Sequence, residues 1–144
     1  MRGGRAVSGR RGHDGGVRCR AELRGELHAP RRDGAALHLA ESLVANLVDN
    51  ALRHNVAGGR VEISTATTAG QASISVRNTG TVIPPDKVDR LFQPFQQLGS
   101  ERIRHAGGHG LGLAIVHAIA SAHDATLTAR ARPEGGLDIE VRFP

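Results

Sequence analysis

Four short motifs follow one another between Leu43 and Leu113, and each stands where the hydrophobic pattern of the chain changes. They are Asn46-Leu47-Val48-Asp49-Asn50-Ala51-Leu52-Arg53-His54, Asn78-Thr79-Gly80-Thr81-Val82-Ile83-Pro84, Leu91-Phe92-Gln93-Pro94-Phe95 and Gly107-Gly108-His109-Gly110-Leu111-Gly112-Leu113. The first lies on a stretch with helical period and the second closes a pair of alternating runs. The third sits in a segment with little period, and the fourth opens an apolar helix-like run. Singly, each is a weak signal. Their order is the feature that constrains the fold.

The stretch from about Ala35 to His54 clusters Leu37, Ala40, Val44, Leu47, Val48 and Ala51 on one face at helical spacing, and Gly58-Gly59 stops it. Arg60 to Thr67 and Gln71 to Asn78 alternate with a period of two around a short turn at Ala69-Gly70, so they are expected to be strands. Residues 79–108 carry four Gly and three Pro, with only a short helical piece at Pro85–Leu91. A loop of that length inside a compact domain is usually functional or disordered. His109 to His123 is expected to be a helix, and Thr126–Ala131 and Leu137–Phe143 two closing strands turned at Glu134-Gly135-Gly136. Before all of these, Val17 to Leu27 alternates loosely as a strand and Pro30 to Gly34 reads as a turn. Residues 1–16, with six Gly and four Arg, are expected to be disordered, leaving 17–144 as the folded domain. A sheet backed on one side by two or three helices is an α+β two-layer sandwich.

The net charge of +5 belongs to one end. Residues 1–33 hold nine Arg against four acids, whereas ten basic and ten acidic residues balance over 34–144. A basic arm can hold nucleic acid or anionic lipid. With no Trp, no Tyr and three Phe, the partners for base stacking are missing, which argues against nucleic acid and for a solvated tail. Cys19 is the only cysteine, so neither an internal disulfide nor a cysteine-rich metal site can form. No apolar run approaches the ~18 residues of a membrane span, and no signal-peptide core follows the N-terminus. A cytoplasmic location is the resulting expectation.

At about 100° per residue, with Asn46 as zero, Asn50 falls at about 40° and Arg53 at about −20°, while the apolar residues cover roughly 100° to 240°. Two carboxamides and a guanidinium thus form a polar stripe expected opposite the core. On an isolated helix this is an ordinary solvated face, and His54 could merely serve the helix C-terminal dipole. Asn78-Thr79-Gly80 would by itself be a turn after a strand. Phe92 and Phe95 would by themselves be a satellite apolar cluster. Gly110 and Gly112 each cost ~1 kcal/mol in a helix interior relative to Ala. Their place at a helix start fits a backbone that lets an anion approach free N–H groups. There is no Gly-Lys-Ser/Thr, so this is not a P-loop.

In this order the motifs resemble the N, G1, F and G2 boxes of the catalytic, ATP-binding domain of bacterial sensor histidine kinases, over roughly residues 31–144. The resemblance implies a mixed, mostly antiparallel sheet with about three helices on one face, the other face being left to solvent or to helices from elsewhere. It implies ATP and Mg²⁺, with Asn46 as the Mg²⁺ ligand, Asn50 and Arg53 at the phosphates, and the ring of His54 against the nucleotide. Mg²⁺ takes hard oxygen ligands, and Arg offers phosphate a planar fork of donors, which suits those residue types. Asn78 stands where most members carry the Asp that accepts from the adenine amino group, a bond an amide oxygen can also accept. Gly80, Ile83 and Pro84 match the second box, whereas Val82 replaces a usual glycine. Phe92, Phe95, Gly108, Gly110, Leu111 and Gly112 complete the nucleotide set, within a lid at about 79–108. Arg102 and Arg104, just before the last box, are candidates for the γ-phosphate.

Two departures shape the expected activity. Related ATPases that hydrolyse ATP place a general-base Glu four residues before the Mg²⁺ Asn; here that position is Ser42, and Glu41 points elsewhere. The acceptor of this family is a His followed by Glu or Asp in a dimeric helical hairpin, and none of the eight His has that setting, His13-Asp14 being the nearest. The chain therefore reads as a truncated or split kinase that presents the γ-phosphate to a histidine on a separate dimerisation hairpin, with a response regulator downstream and a membrane anchor left to the rest of such a kinase. The rival readings are an ATP-binding regulatory module without catalysis and an anti-sigma serine kinase, the latter opposed by Leu91–Phe95.

Overall fold

The computed structural model describes residues 6–9, 16–23, 34–93 and 111–144. In chain order these form strands β1 (Ala6–Gly9) and β2 (Arg18–Leu23), helix α1 (Gly34–Arg53), and strands β3 (Arg60–Thr68) and β4 (Gln71–Asn78). Two 3₁₀ turns follow (Pro85–Lys87 and Asp89–Phe92), then helix α2 (Gly112–Ala122) and strands β5 (Thr126–Ala131) and β6 (Leu137–Arg142). The strands make one sheet in the order β1-β2-β3-β4-β6-β5. Only β2 and β3 pair in parallel. The expected α+β sandwich with a mixed, mostly antiparallel sheet is what forms.

Alternation decides which face is buried. Val61, Ile74, Val76, Leu137, Ile139 and Val141 point inward, where Leu43, Leu47 and Ala51 of α1 and Leu113, Val116, Ile119 and Ala120 of α2 meet them. Ile83 and Val88 close one end of this core. The outward face carries a row of alternating sign across five strands, Arg20, Glu62, Arg77, Asp138 and Arg130, set by register. Arg77 and Asp138 close to 3.0 Å within it. Opposite charges directly across strands support pairing and keep that face soluble.

Two elements differ from expectation. Ala6–Gly9 pairs with β2 although 1–16 carries no apolar pattern, because backbone hydrogen bonding to a sheet edge asks little of side chains. The expected helix from Pro85 is two 3₁₀ turns, broken between Lys87 and Asp89. The β3–β4 hairpin turns through Ala69 and Gly70 alone, both at positive φ (52° and 78°), the twist a two-residue loop demands.

Candidate functional site

α1 is amphipathic, but its buried arc is not centred where the sequence pattern puts it. Leu43, Leu47 and Ala51 are sealed, whereas Val44 is 37% exposed. The reason is that α1 meets two partners, the sheet and α2, and α2 covers the side bearing Asn46. The polar stripe therefore borders the core instead of lying opposite to it. Asn46 and Asn50 are half-buried, and Arg53 and His54 further along are exposed.

Asn46 is held in a defined pose. Its Nδ2 donates to the Ser42 carbonyl one turn back at 2.7 Å, with the Ser42 hydroxyl at 3.4 Å. This leaves Oδ1 directed at Gly112, the first residue of α2, where an added Cβ would stand 3.5 Å from it. Among the described residues, α2 begins at Leu111-Gly112 with no side-chain cap and no acid in its first turn. An uncapped helix N-terminus beside a hard carboxamide oxygen suits an anion and its counter-cation together. Ser42 itself supplies no carboxylate, and Glu41 is exposed 3.7 Å from His38.

Arg53 Nε donates to Asp49 Oδ2 at 2.7 Å along the helix, so the expected phosphate ligand is already engaged by a neighbour. The imidazole of His54 is held below its ordinary pKa of 6.5, first by desolvation of the ring and then by the charge of Arg53, with Asp49 pulling the other way.

Asn78 ends β4 and is 3% exposed, the one buried polar residue among those described. Its Nδ2 donates to the Thr79 carbonyl at 2.9 Å, which orients Oδ1 as the remaining acceptor. Gly80 leaves no room for a side chain: a Cβ there would lie 2.7 Å from the His54 carbonyl and 3.3 Å from Gly136 Cα. The first two motifs are thus in contact through backbone. Ile83 is buried beneath them, while Val82 is exposed. Phe92 packs half-buried against the core. Phe95, Gly108, Gly110, Arg102, Arg104 and His109, and with them the expected start of the second helix, lie outside the described residues.

The sequence reading missed the β5–β6 turn as part of this site. Gly135 and Gly136 are buried at φ 115° and 92°, against the Gly80 and Asn78 carbonyls respectively. Gly136 N donates to the Thr81 carbonyl at 2.9 Å, and Arg132 Nη1 reaches the Asn78 carbonyl at 3.3 Å. Glycines in a turn signal only a turn; their contact with Asn78 depends on β6 lying beside β4. A separate cleft of about 510 Å³ opens among Phe92, Gln93, His117, Ser121, Leu127 and Ala129, and none of Asn46, Asn50, Asn78 or Gly80 lines it.

The sequence profile of the histidine kinase-, DNA gyrase B- and HSP90-like ATPases matches residues 35–144. The chain belongs to that ATPase family. Sensor protein CutS of Streptomyces coelicolor is 45% identical over 124 residues, which are 85% of this chain and 30% of CutS. Sensor histidine kinase RppB of Synechocystis is 37% identical over 102 residues, 71% of this chain and 22% of RppB. The chain thus spans less than a third of either relative. Among solved structures, the mycobacterial sensor histidine kinase MprB superposes with a TM-score of 0.62 at 25% identity, over 89% of this chain and 78% of that one. The catalytic domain of histidine kinase ThkA gives 0.61 at 26% identity, over 74% and 66%. Within this ATPase family the chain therefore has the fold of a histidine kinase catalytic domain. Among the described residues no helix is long and apolar enough to cross a membrane.

Proposed function

We propose that this chain is the ATP- and Mg²⁺-binding catalytic domain of a two-component sensor histidine kinase. The observation that carries the proposal is the placement of Asn46 Oδ1 against the uncapped start of α2. Asn78, with its amide nitrogen occupied, offers an acceptor to the adenine amino group. Asn46 supplies a hard oxygen to Mg²⁺, with Asn50, Arg53 and the α2 N–H groups at the phosphates, and His54 and Ile83 beside the base. The cation, when bound, neutralises charge on the transferring phosphoryl group. The chain's own part is positioning, and the acceptor histidine belongs to a dimerisation hairpin on the cytoplasmic side of the kinase. A response regulator then takes the phosphoryl group from that hairpin.

Calorimetry with a non-hydrolysable ATP analogue tests this reading. Binding is expected to require Mg²⁺ and to weaken by about tenfold or more in Asn46→Ala, a charge-assisted contact being worth ~1.5–3 kcal/mol. Equal affinity with and without Mg²⁺, or an unaffected Asn46→Ala, refutes it.

A further inference from the structure

The two halves of the site are joined by one polar cluster that touches none of the residues assigned above to ATP or metal through its side chains. Asn55, just past α1, donates from Nδ2 to the carbonyls of Ala51 at 3.1 Å and Arg60 at 3.0 Å. Its Oδ1 accepts from Val56 N at 2.9 Å and from the Thr79 hydroxyl at 2.6 Å. The Thr79 hydroxyl in turn accepts from Arg60 N at 2.7 Å, and Thr79 N donates to the Arg60 carbonyl at 3.0 Å. The β3–β4 ladder ends at Val61 and Asn78, so the Thr79 side chain supplies the acceptor that the next ladder position would have given. Gly59 packs here because a Cβ on it would collide with Asn55 Oδ1 and the Thr79 hydroxyl.

This cluster lies between the end of the helix that bears Asn46 and Asn50, with His54 just past it, and the start of the loop that bears Gly80. It follows Asn78 directly. We infer that Asn55 and Thr79 are positioning residues, which set the distance between the phosphate half and the adenine half of the nucleotide site. The inference rests on the ATP reading above and adds a residue pair to it. A hydroxyl–carboxamide hydrogen bond with every donor and acceptor used fixes geometry more tightly than apolar contact, and losing one member strands the others. A ligand that contacts both halves, as ATP does, is sensitive to that distance; one that contacts a single half is not.

The experiment compares the parent, Thr79→Val and Thr79→Ser, using the Mg²⁺ complex of a non-hydrolysable ATP analogue and, separately, adenosine. Thermal unfolding establishes that each variant is folded. Thr79→Val, which keeps the shape and deletes the hydroxyl, is expected to lose about tenfold or more in analogue affinity. Its adenosine affinity should stay within about twofold of the parent, and Thr79→Ser should recover analogue binding. A loss common to both ligands, no loss in Thr79→Val, or no recovery in Thr79→Ser overturns the inference. Should Thr79→Val fail to fold, Asn55→Asp keeps the acceptor for Thr79, removes the two Nδ2 bonds and must show the same selective loss. A parent that binds neither ligand overturns the ATP reading as well, which separates the two failures.

Discussion

Asn46 Oδ1 lies so close to Gly112 that a methyl group on that glycine would stand in van der Waals contact with it, 3.5 Å away, without any clash. The glycine is therefore not required by packing within the fold. What it keeps open is the space between the carboxamide oxygen and the first N–H groups of α2.

Gly112→Ala should consequently separate stability from function. The fold should gain up to about 1 kcal/mol, because alanine is the better helix former. Affinity for the Mg²⁺ complex of an ATP analogue should fall by about tenfold or more, as the methyl fills the approach of a phosphate to the helix N-terminus. Thermal unfolding and calorimetry on the same preparation measure both. An affinity that matches the parent would mean that no phosphate comes near Gly112.

Asn78 makes a prediction of opposite sign for two substitutions. Asn78→Ala removes the acceptor and should weaken ATP binding. Asn78→Asp should retain or strengthen it, because a charged acceptor forms the stronger bond. The Asp variant must give up the Nδ2 bond to the Thr79 carbonyl, so its gain should be smaller than charge alone would give. GTP, with a carbonyl where adenine has an amino group, should compete poorly against both the parent and Asn78→Asp. Comparable ATP and GTP affinity would return Asn78 to the role of a buried strand end.

The elements that alternate or repeat by themselves were legible in the sequence. β4, β5 and the twenty residues of α1 follow directly from period. The first motif meets the second through Gly80 at the His54 carbonyl and the fourth through Gly112 at Asn46, whereas Phe92 of the third lines the separate cleft. What was not legible depends on who packs against whom. Val44 looked like core because period alone finds an apolar arc; the second partner that rotates burial toward Leu43 is α2, which the helix's own residues do not specify. Asn55 carries no pattern, being one polar residue after a helix, and its four hydrogen bonds exist only once β3 and β4 have paired. The parallel pairing of β2 with β3 spans the whole of α1 and is likewise a tertiary fact.

His54 gives the fold a dependence on pH. Desolvation and Arg53 lower its folded-state pKa below the ordinary 6.5, so the unfolded chain takes up the proton first as pH falls. Above 6.5 the residue is neutral in both states and contributes nothing. As pH drops from 6.5 through the folded value, stability is lost, and the loss levels off below it. Denaturant midpoints measured from pH 8 to pH 5 should show this decline, and His54→Gln should flatten that part of it. An imidazole titration by NMR that places His54 at or above 6.5 would contradict the sign.

The 144-residue polypeptide on its own should neither hydrolyse ATP at a useful rate nor label itself from it. Four residues before Asn46 stands Ser42, whose carbonyl and hydroxyl both face the Asn46 amide nitrogen. A serine hydroxyl is far too weak a base to take a proton from water as a carboxylate would, so general-base assistance of typically ~10²–10⁴-fold is missing. Self-labelling fails for a different reason. Two histidines are followed by an acid, His13 and His123, and the latter ends α2 with its Nδ1 turned back to within 2.9 Å of the Ile119 carbonyl. Neither is offered on a dimeric hairpin of the family's kind, so transfer lacks the proximity that makes it effectively unimolecular. A dimeric acceptor hairpin from the same family, added in trans, should be phosphorylated slowly. Incubation with γ-labelled ATP, followed by acid and base treatment, tells these outcomes apart. Acid-labile, base-stable label on this polypeptide alone would reveal an acceptor within it, and His13, which precedes Asp14, would be the first histidine to replace.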